Sequence, residues 1–292
     1  MSIEDNFRRL ASSLELTFEE TQKAANIQNL IREVLEARPE ILHAELSGSY
    51  DRKTKIRPLH DIDILVVFDV AAAYDTKGAV IKPRQHLREM WKMLPALRKE
   101  IPRIGQAKFQ DRSINIIVDG IGFDLVPAFP CQRGGFLIPD RKQEEWIPTD
   151  PLKFAERLSA LNQSDRFGEQ LVPFIKMVKW WARQHAPELK SYLIELLILK
   201  CLHSIDSYSD ACGNFFFLAL REILGSVHDP ITGRDANELL LLQRLELMRK
   251  FRRHLNLTLD AQVAEKLNRP ARVSAQHFAQ IFGPRFPVEI KP

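Results

Sequence analysis

Residues Gly48–Phe68 have the sequence GSYDRKTKIRPLHDIDILVVF, and this stretch decides the fold of the chain. It ends in a run of branched and aromatic side chains that is long enough to form a buried β-strand. Alternate side chains of a strand lie on the same face, so Asp61 and Asp63 point together while Ile62 and Ile64 point into the core. Two carboxylates this close repel each other, and the arrangement is stable mainly when a cation lies between them. The stretch therefore predicts a strand that begins at a cation site.

A third carboxylate is expected on a later strand. Asp119-Gly120 joins two β-rich runs, Ser113–Val118 and Ile121–Phe129, and is a strong short-range signal for a β-hairpin. The second run contains Asp124 among apolar neighbours, where an acidic residue is costly unless it has a partner. If this run lies beside the first strand, three carboxylates converge.

The converging carboxylates predict a metal centre. Carboxylate ligands without thiolate or imidazole favour Mg²⁺ or Mn²⁺, and we predict two such ions. One ion would lie beneath a triphosphate and the other would activate an attacking hydroxyl, whose proton Asp124 would accept. The predicted catalytic and metal-binding residues are Asp61, Asp63 and Asp124.

A Gly-Ser pair precedes the carboxylates and is separated from them by a polar loop. Gly48 would allow the backbone to approach phosphate oxygens, and the Ser49 hydroxyl with nearby amide groups would bind them. Taken alone, a Gly-Ser pair is usually a turn and an Asp-x-Asp pair is usually a solvated strand edge. Their occurrence in this order, followed by a strand aspartate, favours a phosphate-transfer site over both structural interpretations.

The order of Gly-Ser, Asp-x-Asp and a third strand aspartate resembles the DNA-polymerase-β-like nucleotidyltransferase superfamily. Within it, GSYDRKTKIRPLHDIDILVVF and GFDLVPAF look like the bacterial relatives of cyclic GMP–AMP synthase and the oligoadenylate synthetases, the CD-NTases. The resemblance implies an enzyme that makes a cyclic di- or trinucleotide second messenger from ATP and possible other nucleoside triphosphates. It also implies a role in anti-phage defence (CBASS), in which the product activates an effector protein.

The second half of the chain carries further segments that are similar to this family. They are WIPTDP (146–151), FIKMVKWWARQ (174–184) and LKSYLIELLIL (189–199). The resemblance implies that Lys179 and Ser191 contact the donor triphosphate. A lysine supplies a mobile point charge, and a serine at a helix start supplies a hydroxyl beside the positive end of the helix. Lys176, one turn from Lys179, is an alternative for the same role.

The distribution of predicted elements indicates an α+β fold. Apolar residues recur at helical intervals in Ser2–Arg38, and another helix is expected over Val80–Glu100. Proline, glycine and charge in Pro130–Pro151 indicate a crossing between two lobes. Beyond it the predicted helices are Pro151–Asn162, Gly168–His185, Ser191–Ser204, Asn214–Leu224, Asn237–His254 and Ala271–Phe282. We therefore expect a mixed-sheet nucleotidyltransferase lobe with N-terminal helices at 1–150, a helical lobe at 151–292, and the active site in the cleft between them.

Composition and charge are those of a soluble globular protein. Of the 292 residues, 45% are hydrophobic and 27% are charged, which excludes a disordered chain. The net charge of +4 favours phosphate-bearing partners but is far below that of a dedicated DNA-coating protein. The three cysteines lack zinc-like spacing, and no apolar segment is long enough to span a bilayer. We expect a cytoplasmic monomer that does not associate with a membrane.

Two features bear on regulation. The basic run Arg249–His254 is more often a solvated helix face than a nucleic-acid surface, and we expect no nucleic-acid activator. The last residues, 288–292, have the sequence VEIKP. They lack the small terminal residue of family members that are conjugated through their C-terminus, so we expect no such conjugation.

Two other functions fit the same pattern of residues. One is a linear transferase that adds AMP to an RNA end, a protein or a small molecule, although the additional basic region of an RNA-tail enzyme is not seen in the sequence. The other is an inactive nucleotide-binding scaffold. Three mutually repelling acids disfavour a scaffold, because an inactive protein has no reason to retain them.

Overall fold

The computed structural model describes residues 2–288, in which a mixed sheet is followed along the chain by a set of helices. The strands are β1 (Ile41–Ser47), β2 (Asp61–Phe68), β3 (Ile104–Phe109), β4 (Ile114–Val118), β5 (Ile121–Pro130), β6 (Phe136–Asp140) and β7 (Glu145–Thr149). The α-helices are α1 (Ile3–Leu14), α2 (Phe18–Glu36), α3 (Gly48–Asp51), α4 (Pro83–Trp91), α5 (Leu94–Glu100), α6 (Pro151–Gln163), α7 (Leu171–His185), α8 (Ser191–Cys201), α9 (Tyr208–Glu222), α10 (Leu241–Lys266) and α11 (Ala271–Phe282). The predicted α+β fold class is confirmed. Residues 289–292, on which the expectation about conjugation depends, lie outside the described residues.

The centre of the sheet brings the two carboxylate strands together. The strand order is β1-β2-β5-β4-β3, with β6 paired to β5 and β7 paired to β6. Strands β2 and β5 run parallel, and the other pairs run antiparallel. In the parallel pair Asp63 lies opposite Asp124. The strand adjacency on which the predicted carboxylate cluster depends is therefore observed.

Strands β4 and β5 form the predicted hairpin. Val118 pairs with Ile121, so Asp119 and Gly120 are the two turn residues. Their φ angles are 50° and 82°, as expected of the tight turns whose twist suits a hairpin. This turn fixes the register of the hairpin, because each step away from it pairs the next residue of each strand.

The two faces of the sheet have different surroundings. Ile62 and Ile64 of β2, with Phe123 of β5, belong to a large buried cluster that includes side chains of α2, α4 and α5. The opposite face holds a smaller buried cluster that contains Leu65 and Val67. Because side chains alternate along a strand, the three carboxylates lie on this second face. The helices therefore anchor the strands from one side while the carboxylates project from the other.

The chain divides into two compact units, residues 16–156 and residues 1–15 with 157–292. The first, called here the sheet unit, contains all seven strands found in residues 2–288. The second, the helical unit, contains α1 and α7–α11, and α1 packs against α7, α9 and α11. The boundaries of these units differ from the boundary between the predicted lobes, which lies after residue 150. The functional division into a catalytic lobe and a helical lobe stays a prediction.

Aromatic side chains form much of the core of the helical unit. Phe7 of α1 is fully buried, and its ring meets those of Phe278 and Phe282 edge-on. Trp181 of α7 is also fully buried and stacks on Phe251 of α10. Large buried rings in specific contact account for the association of α1, α7, α10 and α11.

Three strands differ from the sequence-based expectation. No strand was predicted after Phe129, but β6 and β7 form an antiparallel hairpin within Pro130–Pro151, so that part of the prediction is wrong, while the crossing between lobes in this segment stays a prediction. Pro139 and Pro148 obscure these strands in the sequence, yet proline is tolerated where a strand lies at a sheet edge. Strand β3 was also missed, because Gly105, Gln106 and Lys108 interrupt its apolar residues.

The predicted helix over Val80–Glu100 is two helices. Helix α4 ends at Trp91, and α5 begins at Leu94 with Pro95 in its first turn. Proline has no amide hydrogen to donate to a preceding turn, so it suits the start of a helix and interrupts a continuous one. The prediction of one uninterrupted helix was wrong for this reason.

Candidate active site

The three predicted carboxylates lie together on one face of the sheet. Asp61 and Asp63 are at the start of β2, and Asp124 is on the adjacent strand β5. In the parallel register Asp63 is directly opposite Asp124, while Asp61 is opposite Gly122. Asp61 is exposed, whereas Asp63 and Asp124 are partly buried. The cluster therefore runs from solvent into the sheet.

Asn115 connects two of these carboxylates. It lies on β4 opposite Asp124, and its side-chain amide donates to Asp124 Oδ1 at 2.8 Å. The same amide nitrogen lies 3.4 Å from Asp61 Oδ1, at the long end of a hydrogen bond. Asn115 is almost completely buried, so its side chain has a fixed position. It orients Asp124 by holding one of its two oxygens.

The carboxylates oppose one another's ionisation. Burial, followed by the negative charge of Asp124, raises the pKa of Asp63 to about 6. Burial also raises the pKa of Asp124, and the charge of Asp61 adds to this, although the hydrogen bond from Asn115 acts in the opposite direction. A cation bound at this face would lower the free energy of the ionised carboxylates.

Basic residues of the loop before β2 border the carboxylates. Lys55 Nζ donates to the backbone carbonyl of Asp61 at 2.5 Å, and its charge lowers the pKa of both Asp63 and Asp124. Arg52 has the same effect on Asp63. Neither cation cancels the upward shift of the Asp63 pKa. Cations beside a carboxylate cluster are well placed to contact a polyphosphate whose other oxygens bind metal.

Two glycines make room for the carboxylates. Gly48 has a φ of 70°, and a Cβ atom at this position would overlap the carboxylate of Asp63. A Cβ atom at Gly122 would likewise overlap Asp61 Oδ1. Ser49 follows Gly48 in the short helix α3, and its carbonyl accepts a hydrogen bond from Thr54 N at 3.0 Å, which closes the loop. Phosphate binding by Gly48 and Ser49 stays a prediction, but the conformational need for Gly48 is clear.

The donor atoms at this face suit Mg²⁺ or Mn²⁺, because they are carboxylate oxygens without sulfur or imidazole. The raised pKa values of Asp63 and Asp124, to which burial and neighbouring acids contribute, are the second observation that fits a cation there. Within residues 2–288, however, no group of three or more His, Cys, Asp or Glu side chains is already arranged around one metal position. Metal binding by the three aspartates therefore stays a prediction.

Lys179, predicted to contact a triphosphate, lies in the helical unit and is buried. Its ammonium is 2.5 Å from Glu195 Oε1 of α8, and the side chains of Lys179 and Glu195 are 4% and 0% exposed. The alternative residue, Lys176, pairs with Glu15, whose side chain is 50% exposed. The ion pair holds the ammonium of Lys179 in place, in contrast to the mobile charge that we expected. Triphosphate binding by Lys179 stays a prediction.

Ser191 is the first residue of α8, as the predicted helix start requires. It is exposed, and the preceding Lys190 pairs with Glu238 at 2.6 Å. An exposed hydroxyl at a helix start can donate a hydrogen bond to an anionic ligand that lies beside the positive end of the helix dipole. The position of Ser191 fits its predicted role in contacting the donor triphosphate. That role stays a prediction.

Asn115 and Lys55 were missed in the sequence analysis. Asn115 could have been found, because a two-residue turn at Asp119-Gly120 places the residue four positions before the turn's first residue opposite Asp124. Lys55 carries no comparable signal, since several basic residues lie in the same loop. Loop conformation decides which of them reaches the carboxylates.

Comparison with known proteins now identifies the family. Residues 1–162, more than half of the chain, match the model of the Second Messenger Oligonucleotide or Dinucleotide Synthetase (SMODS) domain. The chain belongs to this family. The SMODS match includes the Gly-Ser pair and all three aspartates.

Two relatives by sequence are synthases of cyclic nucleotides. A cyclic AMP-AMP-AMP synthase of Acinetobacter sp. (strain ATCC 27244 / 9458) is 26% identical over 234 residues, which cover 77% of this chain and 66% of that protein. A probable cyclic nucleotide synthase of Bacillus cereus (strain VD146) is 26% identical over 270 residues, which cover 77% of this chain and 79% of that protein. The SMODS chain thus spans just under two thirds of the Acinetobacter relative and more of the Bacillus one.

Two solved structures share the fold. E. coli MS115-1 CdnC, in its complex with HORMA-deltaN, superposes with a TM-score of 0.77 at 18% identity, over 97% of this chain and 98% of CdnC. The Vibrio cholerae DncV cyclic AMP-GMP synthase, a prokaryotic cGAS homologue, gives 0.73 at 12% identity, over 98% and 97% of the two chains. The predicted family and nucleotidyltransferase fold are confirmed, and with them the class of enzyme at the level of the family. No helix within residues 2–288 has the length and apolar character needed to cross a membrane.

Proposed function

We propose that this SMODS protein is a metal-dependent nucleotidyltransferase that makes a cyclic di- or trinucleotide from ATP, either alone or with other nucleoside triphosphates. The observation that carries the proposal is the shared face of β2 and β5, where Asp63 lies opposite Asp124 with Asp61 beside them. The names of the sequence relatives support a cyclic product, and adenine is the base that the Acinetobacter relative's name gives.

Asp61, Asp63 and Asp124 would hold two Mg²⁺ or Mn²⁺ ions. When bound, the ions would supply positive charge that stabilises the donor phosphates and promotes ionisation of the attacking hydroxyl. The carboxylates themselves fix where that charge lies, and Gly48 provides the space that Asp63 occupies. The low polarity around Asp63 and Asp124 strengthens these electrostatic interactions.

Asp124 would accept the proton of the attacking ribose hydroxyl. Asn115 occupies Asp124 Oδ1, so Oδ2 is the oxygen left to take the proton. The hydroxyl oxygen forms a bond to the α-phosphorus of the donor, the bond from that phosphorus to the bridging oxygen of the β-phosphate breaks, and pyrophosphate leaves. Repetition of this transfer extends the linear product. The ring closes when the terminal ribose hydroxyl of that product attacks the α-phosphorus of its own 5′-triphosphate and a further pyrophosphate leaves.

The remaining predicted residues would bind phosphates. Gly48 and Ser49 would contact the triphosphate through backbone amides and a hydroxyl, and Lys179 and Ser191 would contact the donor triphosphate from the helical unit. Lys179 would do so while paired with Glu195, which orients its ammonium. The exposed position of Ser191 suits a ligand contact more directly.

The product would act in the cytoplasm as a second messenger in anti-phage defence, where it would activate an effector protein. A monomer that needs neither a nucleic-acid activator nor a membrane would suffice for this chemistry. The HORMA-deltaN partner belongs to CdnC.

Product analysis tests the proposal. Purified protein is incubated with all four ribonucleoside triphosphates and Mg²⁺ or Mn²⁺, treated with phosphatase, and analysed by mass spectrometry, with Asp63→Asn as the matched control. Phosphatase-resistant products with the mass of cyclic oligonucleotides, absent from the variant, are expected. Linear products would instead favour a linear transferase. Nucleotide binding without any product, with or without added nucleic acid, would favour an inactive scaffold.

A further inference from the structure

A second group of basic side chains, separate from the active site, surrounds a small cavity in the sheet unit. The cavity has a volume of about 160 Å³ and is lined by Arg84, Arg88, Phe109 and Arg141. Three of its four lining residues are arginines. Nothing in the proposed nucleotidyl transfer uses them.

The fold brings these arginines together from two parts of the sheet unit. Arg84 and Arg88 are one turn apart on α4, so they share a face of that helix. Arg141 directly follows β6, which packs against α4. The backbone N–H of Arg141 donates to Asp111 O at 2.9 Å, which ties this position to the turn between β3 and β4.

The floor of the cavity is aromatic and firmly placed. Phe109 is the last residue of β3, and its ring stacks on Trp91 with centroids 4.3 Å apart and an interplanar angle of 19°. Phe109 packs against the buried cluster on the helix side of the sheet. Its neighbour Lys108, which pairs with Asn115, faces the carboxylate side. The cavity and the carboxylates therefore lie on opposite faces of the sheet.

Positive charge exceeds negative charge around the cavity. Among residues 2–288, the side chains of Arg84 and Arg88 have no hydrogen bond or ion pair to another residue. The carboxylate of Asp111 forms ion pairs with two cations, at 2.5 Å from Lys142 and 3.6 Å from Arg141. Like charges one helical turn apart repel each other, so the arrangement of Arg84 and Arg88 is unfavourable without an anion.

We propose that this cavity binds a phosphate group of a small anion. Its size suits one or two phosphate groups, and planar guanidinium groups donate paired hydrogen bonds to phosphate oxygens. The arginine that follows β6 and the two from α4 can approach such a group from different directions, and Phe109 limits access from the sheet. The proposal is independent of the reaction proposed above. It involves neither the three aspartates nor the residues proposed to bind triphosphate, which are Gly48, Ser49, Lys179 and Ser191.

Binding of inorganic phosphate by the full chain tests the proposal. Isothermal titration is performed in EDTA, which suppresses metal-dependent binding at the carboxylates. The test variant is Arg84→Gln/Arg88→Gln. The matched control is Arg249→Gln/Arg253→Gln, which removes two exposed arginines one turn apart on α10 and changes the net charge equally. Circular dichroism and thermal unfolding establish that both variants are folded.

The wild type and the control are expected to bind phosphate with the same affinity, and the test variant at least about tenfold more weakly, because it lacks two guanidinium groups that donate charge-assisted hydrogen bonds. Equal affinity of test variant and wild type, equal weakening in the control, or no saturable binding by the wild type would overturn the proposal. If the test variant does not fold, Arg141→Gln is measured in its place with the same expectation.

Parallel titrations with pyrophosphate and ATP identify the source of the phosphate group. Similar Arg84- and Arg88-dependent affinities for phosphate and pyrophosphate, with weaker binding of ATP, would indicate a free inorganic anion. Tighter binding of ATP that depends on the same arginines would indicate a nucleotide. Binding of duplex DNA or RNA without affinity for any small phosphate would contradict the proposal.

Discussion

The two compact units accommodate buried charge in opposite ways. On the sheet, Asp63 and Asp124 carry like charges on adjacent strands, and burial raises the pKa of both. In the helical unit, Lys179 and Glu195 are buried as an ion pair of opposite charge. The helical unit also favours the neutral form of His254, because burial lowers its pKa to about 4.

This difference in buried charge distinguishes a functional site from a structural ion pair. Opposite charges that are paired on burial satisfy each other within the protein and can be structural. Like charges held together destabilise the folded state until a ligand of opposite charge binds, so they indicate a function. Each prediction below tests one side of this comparison.

The largest effect is expected from the carboxylates. Asp124→Asn should lower turnover by about 10²–10⁴-fold, because it removes the proposed general base while preserving size. Asp63→Asn should lower turnover at least as much. Neither variant should lower the midpoint of thermal unfolding measured in EDTA, because each removes a repelling charge. Asp260→Asn on α10 is the control, and a fully active Asp63→Asn/Asp124→Asn double variant would contradict the assignment.

The next effect concerns the buried ion pair. Glu195→Ala should reduce the free energy of unfolding by about 3–5 kcal/mol, because it leaves the Lys179 ammonium buried without its carboxylate partner. Lys179→Met/Glu195→Leu should recover most of this loss. Urea denaturation provides the measurement. Glu15→Ala is the control, because it removes the carboxylate partner of Lys176 from a pair in which that carboxylate is half exposed. Equal losses of unfolding free energy for Glu195→Ala and Glu15→Ala would show that burial of the Lys179–Glu195 pair does not determine the size of the loss.

Lys179 can be tested for function in the same experiment. Lys179→Met/Glu195→Leu should raise KM for ATP if the ammonium contacts the donor triphosphate, even when the variant is as stable as the wild type. Unchanged KM and kcat in a stable double variant would assign the pair to structure alone.

Gly48 links conformation to the carboxylate face. Gly48→Ala adds both a positive φ penalty and an overlap with Asp63, whereas Gly78→Ala adds only the first, since Gly78 has a φ of 77° and open space around its Cβ position. The overlap should make Gly48→Ala less stable than Gly78→Ala by about 1–3 kcal/mol. Denaturant unfolding of both variants, and of Gly48→Ala combined with Asp63→Ala, separates the two contributions. If the second substitution does not reduce the difference, the close approach to Asp63 is not its cause.

The pH dependence of stability should reflect His254. A folded pKa of about 4 against an ordinary value of 6.5 means that the unfolded state binds the proton first as pH falls. The free energy of unfolding should therefore decrease between pH 7 and pH 5, by about 2 kcal/mol for this residue. His254→Gln should show a smaller decrease than the wild type. A pH dependence that His254→Gln leaves unchanged would exclude this residue as its source.

The smallest effect is expected at Asn115. Asn115→Ala removes the hydrogen bond to Asp124 Oδ1 but leaves the carboxylate in place, so turnover should fall by about tenfold, equivalent to about 1.4 kcal/mol. Steady-state kinetics should show the change in kcat more than in KM. Asn115→Ser, which keeps a donor, should recover part of the activity. Equal kcat values for Asn115→Ala and the wild type would remove Asn115 from the site.

The sequence predicted the parts of the site that depend on local geometry. Alternation along β2 places Asp61 and Asp63 on one face, and the Asp119-Gly120 turn fixes the register that brings Asn115 to Asp124. The pairing of β2 with β5 was an assumption, because strand order depends on how the whole sheet packs. The sequence also gave no indication that Lys179 is buried, since Glu195 lies on a separate helix.

The elements that were missed lie at the margins of the sheet. Strands β6 and β7 contain prolines, and Gly105, Gln106 and Lys108 interrupt the apolar residues of β3, so these strands lack the apolar alternation of a central strand. Each of them pairs with strands that are next to it in the chain. The arginine-lined cavity was missed for a different reason, because Arg84, Phe109 and Arg141 come together only through the tertiary structure.

Pyrophosphate release is the most direct test of the claim that the like-charged face of β2 and β5 is a catalytic centre. Wild type, Asp63→Asn and Gly78→Ala are supplied with the four ribonucleoside triphosphates, once with Mg²⁺ and once with EDTA. The account predicts release by wild type and Gly78→Ala with Mg²⁺ only, and none by Asp63→Asn under either condition. Equal release by Asp63→Asn and wild type would contradict it.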